Sequence, residues 1–411
     1  MKYGLIGRSL AHSYSAAIHG LLGNCEYELC EVPPESLDGF MRDADFLGIN
    51  VTIPYKEAVM PYCEPDDITL RIGCVNTIVN KGGRLYGHNT DHFGFSFMVK
   101  NAGMDFAGRK VLVLGSGGAS KTASCVAREL GAREIVIVSR NGRDNYGNIA
   151  RHADADILVN TTPVGMFPDG ERSPVSLDLF ANLCAVIDVV YNPLRTKLVL
   201  DARERGIAAT GGLAMLVAQA VNAHGLFFST DITATDSAAL VPKIVREAEL
   251  LFSNIVLVGM PGCGKTSVGR CLAEILEMDF IDTDLLIETN TGRKVPDIIR
   301  EDGEPFFRDL ERAAVAQAST GTRRVIATGG GSVLARENRD ALLRNGTVVF
   351  LERDLAFLAT ADRPLSVDLG AMLAQRLPIY ESICHHRVPV CGSPDPREVA
   401  REIARRVRDW F

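Results

Sequence analysis

Residues 115–122 read GSGGASKT, and residues 259–266 read GMPGCGKT. The second stretch meets the pattern G-x-x-x-x-G-K-[ST], in which backbone amides cradle phosphate oxygens. The first meets it everywhere except at Ser120, which stands where the second glycine belongs. Each follows a strand-like run, KVLVL or NIVLV, and leads into a helical one. Strand, glycine-rich turn and helix form the repeating unit of a parallel α/β sheet, because the helix carries the chain back to the next parallel strand. The chain therefore carries two nucleotide-type turns. What each one holds depends on the residues around it.

Outward from these loops the chain divides into sections. Its 411 residues exceed one ordinary core and predict two to three domains. Residues 1–100 alternate short strand-like runs (YGLIG, FLGINVTI, VNTIV) with helical patches. Residues 101–212 repeat strand and crossover (KVLVL, EIVIVSR, ADILVN, AVIDVVY), as a parallel sheet requires. Residues 213–252 are helical and are expected to complete the first section, and residues 253–411 start a new α/β unit. SAALVPKIVREAELLF, 237–252, has helical apolar spacing and runs into NIVLVG without a Gly/Ser- or Pro-rich spacer, so no flexible linker is expected there.

Composition narrows the function classes. Hydrophobic residues make up 46% and charged residues 23%, as in a soluble globular chain. No apolar run reaches the ~18 residues that span a bilayer. MKYGLIGRSLAHSYS breaks into Gly, Arg and His too early for a signal peptide, so a cytoplasmic protein without membrane contact is expected. A net charge of −7 argues against a nucleic-acid partner and leaves room for local basic sites that bind small anions. The ten cysteines include no C-x-x-C pair and read as free thiols. The run CHHRVPVC, 384–391, lacks the second ligand pair of a zinc finger.

The second loop sits in the context a phosphate cradle needs. Gly262, Cys263 and Gly264 lie in the turn, and Lys265 places a charge near the β- and γ-phosphates. Thr266 offers a hydroxyl to Mg2+, and Ser267 follows it on the helix. Downstream, FIDTD supplies Asp282 and Asp284. GEPFFRDLE supplies Arg308 and Glu311, VIATGGGSV supplies Gly330, DRPL supplies Arg363 and QRLPIYE supplies Arg376. Taken singly, Arg308 and Glu311 at i, i+3 could be a surface pair, and Asp282 a turn former. In this order, over about 254–410, the motifs resemble shikimate kinase. That resemblance implies a P-loop fold with ATP and Mg2+, and binding of shikimate by Asp284, Arg308, Gly330 and Arg376. It further implies that Asp282 and Thr266 serve the metal, that Arg363 contacts ATP and the transferring charge, and that Asp284 and Lys265 are catalytic.

The first loop, Gly115, Ser116, Gly117, Gly118 and Ala119, suits a pyrophosphate on a helix N-terminus. The next strand-like run ends in Ser139 and Arg140. An arginine there favours a ribose 2′-phosphate, hence NADP over NAD. The first hundred residues offer AHSYS (Ser13, Ser15), GINVTIPYKEAV (Thr52, Lys56), GCVNTI (Asn76) and GHNTDHFGF (Asp91). With NTTPVGM, DVVYNPLRTKL and GLAMLVAQA, this set resembles shikimate dehydrogenase over residues 1 to about 250. The resemblance implies a substrate domain beside a Rossmann-like NADP domain. Ser13, Ser15, Thr52, Asn76, Asp91 and Gln219 would hold the cyclohexene acid, and Lys56 and Asp91 would form the catalytic pair. Asp67, Gly115 to Ala119, Ser139, Arg140, Val189 and Gly212 would line the NADP site.

The sequence also departs from both families. His92 stands where the dehydrogenases usually have Gly, and Ser139 replaces a common Asn. The stretch between Arg140 and DILVNTT is short by about one helix–strand unit. In the kinase part the segment around Arg363 is short on both sides, and Pro394 lies where a late arginine is common. The expectation is a bifunctional enzyme that makes shikimate and then phosphorylates it. One half acting only as a binding module, or a dehydrogenase preferring quinate, are the alternatives.

Overall fold

The computed structural model describes residues 1–11, 13–23, 26–230, 233–358, 368–392 and 394–410. The chain forms two compact units, Met1–Ala248 and Glu249–Phe411. Their boundary falls inside the helix Ala234–Phe252 rather than after it.

The first unit holds two sheets. One runs in the spatial order β2 (Tyr27–Glu31), β1 (Tyr3–Gly7), β3 (Gly48–Val51), β5 (Thr77–Lys81), β6 (Arg84–His88), β4 (Glu64–Pro65). It is mixed: β1 pairs parallel with β2 and β3, whereas β3, β5 and β6 pair antiparallel. Its core is built from Ile6, Ile49, Val51, Val75 and Ile78 with Met41 and Phe46. Because β1 and β3 run parallel in register, Gly7 and Val51 end at one edge. The segments that follow them, 8–11 and 52–56, therefore emerge together.

The second sheet is wholly parallel, in the order β11 (Ala208–Thr210), β10 (Ala185–Asp188), β9 (Ile157–Asn160), β7 (Lys110–Leu114), β8 (Glu134–Val138). β7 and β9 are buried throughout, which is why they read as unbroken apolar runs rather than alternating ones. Between β8 and β9 the chain makes only the short 3-10 turn Ile149–His152. Among the described residues no strand lies outside β8. This is the shortening that the residue count between Arg140 and DILVNTT implies. The helix Thr90–Asn101 packs Phe95, Met98 and Val99 onto this sheet and lies along the helix Leu213–Phe228. The latter returns to the first sheet through Ala223 and Phe227 against Val79.

The second unit is a five-stranded parallel sheet, β13 (Asp279–Asp282), β14 (Arg324–Ala327), β12 (Asn254–Val258), β15 (Gly346–Arg353), β16 (His386–Val390). Its core runs through Val256, Leu257, Ile326, Val348 and Val349, closed by Leu272, Tyr380 and Ile403 from the helices. Among the described residues no helix is long and apolar enough to cross a membrane.

Candidate active sites

In the first unit the paired strand ends bring together groups from three parts of the chain. Lys56 follows the β3 edge, and its carbonyl accepts from the amide of Val75 at 2.7 Å. Its Nζ donates to Asp91 Oδ2 at 2.5 Å, with the side chains 18% and 9% exposed. Asp91 lies in the first turn of the helix Thr90–Asn101, which Asn89 caps by accepting from the His92 amide. Asn76 is buried; its Oδ1 accepts from the Thr90 amide at 2.6 Å, and its Nδ2 donates to Thr90 Oγ1 at 3.0 Å. Thr90 Oγ1 also reaches Gln219 Oε1 at 3.3 Å. Lys56, Asn76, Asp91 and Gln219 thus form one cluster. Thr52 lies at the β1–β3 edge, where its amide donates to Ile6 O.

Ser13 Oγ accepts from the Ser15 amide at 3.2 Å. Its hydroxyl is also hydrogen-bonded to Tyr191, whose ring stands 5.4 Å from that of Tyr14. In the sequence Tyr191 sits within DVVYNP, and nothing in its spacing marks it as a partner of Ser13.

The glycine turn of this unit follows β7. Gly115 has φ +112, and a Cβ there would lie 2.6 Å from Thr161 Oγ1, so the left-handed backbone and the close approach both require glycine. Its amide donates to Val138 O at 2.8 Å, which sets the turn beside the end of β8 and the exposed Arg140. Gly117 opens the helix Gly118–Glu129, and a Cβ there would meet nothing within 4 Å. A Cβ on Gly118 would stand 3.3 Å from Lys56 Cδ, so the turn abuts Lys56 directly. Ser116 and Ala119 flank these glycines, and Ser139 turns back through a bond from its amide to Asp144 O. Ser120 is buried, packing the helix where a third glycine would sit. Lys121 lies on the helix, paired with Glu57 at 2.8 Å. Val189 and Gly212 meet closely, since a Cβ on Gly212 would overlap Val189 O at 2.1 Å. Asp67 is exposed in the first turn of the helix Asp67–Ile72, which packs through Ile68 and Ile72 against Cys125 of the helix that begins at this turn.

One buried carboxylate organises the loops beyond the turn. Asp188, at the end of β10, accepts from Asn160 Nδ2 at 3.0 Å, Val190 N at 3.0 Å and Thr196 Oγ1 at 2.6 Å. Asn160 in turn accepts from the amide and hydroxyl of Thr162, next to the Thr161 that faces Gly115. Burial pushes the Asp188 carboxyl up to about 7, against these three hydrogen bonds, which favour the charged form. The native state thus holds its proton more tightly than the unfolded chain, and the stability it contributes falls as pH rises from 3.8 to about 7. Asp188→Ala leaves three buried donors without an acceptor and is expected to cost ~1–3 kcal/mol. In urea unfolding of the full chain that cost should shrink as pH rises through this window; a cost that grows would reverse the assignment.

The second unit has an open cleft of about 650 Å³ over the other glycine turn. Gly262 and Gly264 have φ +79 and +101. Lys265 is buried, and its Nζ donates to Gly259 O at 2.8 Å and Met260 O at 2.9 Å, arching the loop. The Cys263 side chain is buried behind the loop, so only its backbone can face a phosphate. Thr266 Oγ1 donates to Asp282 Oδ2 at 2.6 Å. This pair of hard oxygen groups fits Mg2+: the hydroxyl keeps a lone pair outward while the carboxylate can hold the ion's waters. Asp282 also caps the helix Thr283–Thr291, accepting from the Asp284 and Leu285 amides.

Asp284, Arg308, Gly330 and Arg376 all line this cleft, together with Ser267. Arg308 and Glu311 are not a surface pair. Glu311 is 1% exposed, accepts from Arg308 Nη1 at 2.7 Å and from Ser332 Oγ at 2.7 Å, and so fixes the guanidinium from behind. A Cβ on Gly331 would stand 2.7 Å from Arg308 Nη2, and one on Gly330 2.7 Å from Pro261, so the glycine run lets the β14 loop pass between them. Tyr380 OH donates to Gly330 O at 2.5 Å. Arg376 is buried, and its Nε has no partner among the described residues. Arg353, at the end of β15, adds a cation to the lining that the motifs did not indicate. Arg363 lies outside the described residues.

These two sites define a nucleotide-turn oxidoreductase unit and a phosphate-cradle kinase unit, and comparison with known proteins agrees. The model for the shikimate dehydrogenase substrate binding domain matches residues 5–78, and that for shikimate kinase matches 261–408. A shikimate dehydrogenase (NADP(+)) of Symbiobacterium thermophilum is 37% identical over 258 residues, covering 55% of this chain and 88% of its own length. One from Caldanaerobacter subterraneus is 38% identical over 261 residues, covering 56% and 93%. Among solved structures, shikimate dehydrogenase 1 of Peptoclostridium difficile aligns at TM-score 0.56 and 34% identity over 60% of this chain and 99% of its own. A chorismate mutase/shikimate 5-dehydrogenase fusion from Clostridium acetobutylicum aligns at TM-score 0.54 and 33% identity over 60% and 97%. The chain belongs to the shikimate dehydrogenase family and carries a shikimate kinase domain C-terminal to it.

Proposed function

We propose that the chain catalyses two consecutive reactions: NADPH-dependent reduction of 3-dehydroshikimate to shikimate in the first unit, and Mg·ATP-dependent phosphorylation of the shikimate 3-hydroxyl in the second. The observation that carries the first is the Lys56–Asp91 pair abutting Gly118 of the dinucleotide turn. NADPH, when bound along Gly115 to Ala119 with its 2′-phosphate toward Arg140, supplies the hydride. Lys56 donates a proton from Nζ to the carbonyl oxygen as it becomes an alkoxide, and Asp91 holds the ammonium in line. Ser13, Ser15, Thr52, Asn76 and Gln219 orient the cyclohexene acid. Asp67, on a helix packed against the one that begins at the turn, lines the NADP site with Ser139, Val189 and Gly212.

In the second unit Arg308 and Arg376 pair with the substrate carboxylate, and Asp284 accepts the proton of the attacking hydroxyl. Lys265 neutralises charge on the transferring phosphoryl group, the main demand of such a step, with Arg363 contributing to the same task. Thr266 and, through water, Asp282 would hold Mg2+, which would supply further charge neutralisation at the phosphates. The two readings support one another chemically, since the hydroxyl formed in one reaction is the one phosphorylated in the other. The test is a time course with the full chain, 3-dehydroshikimate, NADPH and Mg·ATP. NADPH oxidation and ADP formation should reach equal final amounts, with free shikimate rising and then falling. NADPH oxidation without any ADP would leave the second unit a binding module, and faster turnover of dehydroquinate would establish the quinate alternative.

A further inference from the structure

His92, Cys125 and Glu129 take no part in the chemistry above, yet they converge. His92 lies in the first turn of the helix Thr90–Asn101, one residue after Asp91. Cys125 and Glu129 are one helical turn apart, on a common face of the helix Gly118–Glu129. Their ligand atoms all lie within 4.8 Å of one another. His92 Nε2 stands 2.7 Å from Glu129 Oε2, and Cys125 Sγ 3.7 Å from Glu129 Oε1.

We propose that His92, Cys125 and Glu129 form a binding site for a zinc-class divalent ion. One imidazole nitrogen, one sulfur and one carboxylate oxygen match the mixed, borderline-soft donor set that Zn2+ and Co2+ accept at ~2.0–2.3 Å, with water in the fourth position. Around a tetrahedral ion such donors stand roughly 3.3–3.7 Å apart. The Cys125–Glu129 spacing already fits, the His92–Glu129 pair must open, and the His92–Cys125 distance lies within 4.8 Å. Burial pushes the Cys125 thiol up, so the group is a neutral thiol until an ion arrives. Binding then forms the metal–sulfur bond and releases the thiol proton to solvent, while His92 offers Nε2 to the ion with its ring N–H on Nδ1. Two cations face the cluster: Arg128 acts on Cys125, and Arg71 Nη1 lies 3.1 Å from Glu129 Oε1 but at 58% exposure can swing into water. The ion would tie the helix turn that bears Asp91 to the helix that begins at the dinucleotide turn.

The test uses the full chain, stripped with a chelator, incubated with Zn2+ and dialysed, with bound metal counted by mass spectrometry. Wild type is expected to retain one more zinc per chain than Cys125→Ala or His92→Ala. Co2+ loading should give a near-ultraviolet thiolate-to-cobalt band that Cys125→Ala lacks. Glu129→Gln keeps the local shape; it should weaken retention and is the variant to read if Cys125→Ala does not fold. Equal zinc contents in wild type and variants, or Co2+-loaded wild type without the thiolate band, overturn the site.

Discussion

Lys56→Ala is expected to reduce NADP-dependent turnover by ~10²–10⁴-fold, the range of a positioned proton donor, while ATP-dependent phosphorylation of added shikimate stays at its wild-type rate. The argument rests on placement. Lys56 contacts Asp91 at 2.5 Å in a site where both side chains are largely shielded, and its methylene chain packs under Gly118. A surface lysine after a proline turn would have neither feature. Truncation leaves Asp91 without its cation, so part of the loss could be structural. Two readouts separate the causes. A lost proton donor lowers kcat with little change in KM for NADPH. A collapsed site would raise that KM and lower the melting temperature of the first unit. Lys56→Arg keeps the charge but not a readily lost proton, and is expected to restore stability without restoring rate. Loss of phosphorylation in Lys56→Ala would contradict two separate sites.

How much of this was legible beforehand follows from what local sequence can encode. The two glycine turns were readable because a left-handed φ at Gly115, Gly262 or Gly264 leaves glycine as the natural choice. The shortened sheet was readable too, since too few residues separate Arg140 from Ile157 for a helix and a strand. Partnerships across long separations were not. Arg308 and Glu311 satisfy a local spacing rule, so they read equally well as a solvated pair. Only Ser332, 21 residues on, and the burial it brings make Glu311 a fixed backstop. Asp188 and Asn160 are 28 residues apart, and nothing in either strand end announces that one orients the other. Tyr191 meets Ser13 by the same kind of tertiary pairing. Asp67 shows the converse: only resemblance puts it in the NADP set, because an exposed acidic residue in a helix's first turn carries no local signal of a cofactor.

Lys265→Ala is the reciprocal experiment. It is expected to lower ATP-dependent phosphorylation by at least ~10²–10³-fold, the cost of removing one preorganised electrostatic group, and to leave NADPH oxidation unchanged. Lys265 has two roles that can be told apart. Its Nζ spans the loop to the carbonyls of Gly259 and Met260, so it holds the cradle in shape before any nucleotide arrives. When a triphosphate is bound, the same ammonium offsets charge on the β- and γ-phosphates. Lys265→Met keeps the chain length and its packing but neither the hydrogen bonds nor the charge, so it should be as inactive as alanine if charge dominates. A methionine variant that retained most of its activity would assign Lys265 to packing instead. Lys121 supplies the internal control. It occupies the matching position of the other glycine turn but pairs with Glu57 on the helix, so Lys121→Ala should leave phosphorylation untouched. Unchanged kinase activity in Lys265→Ala would mean that GMPGCGKT, for all its agreement with the phosphate-cradle pattern, is not where ATP binds.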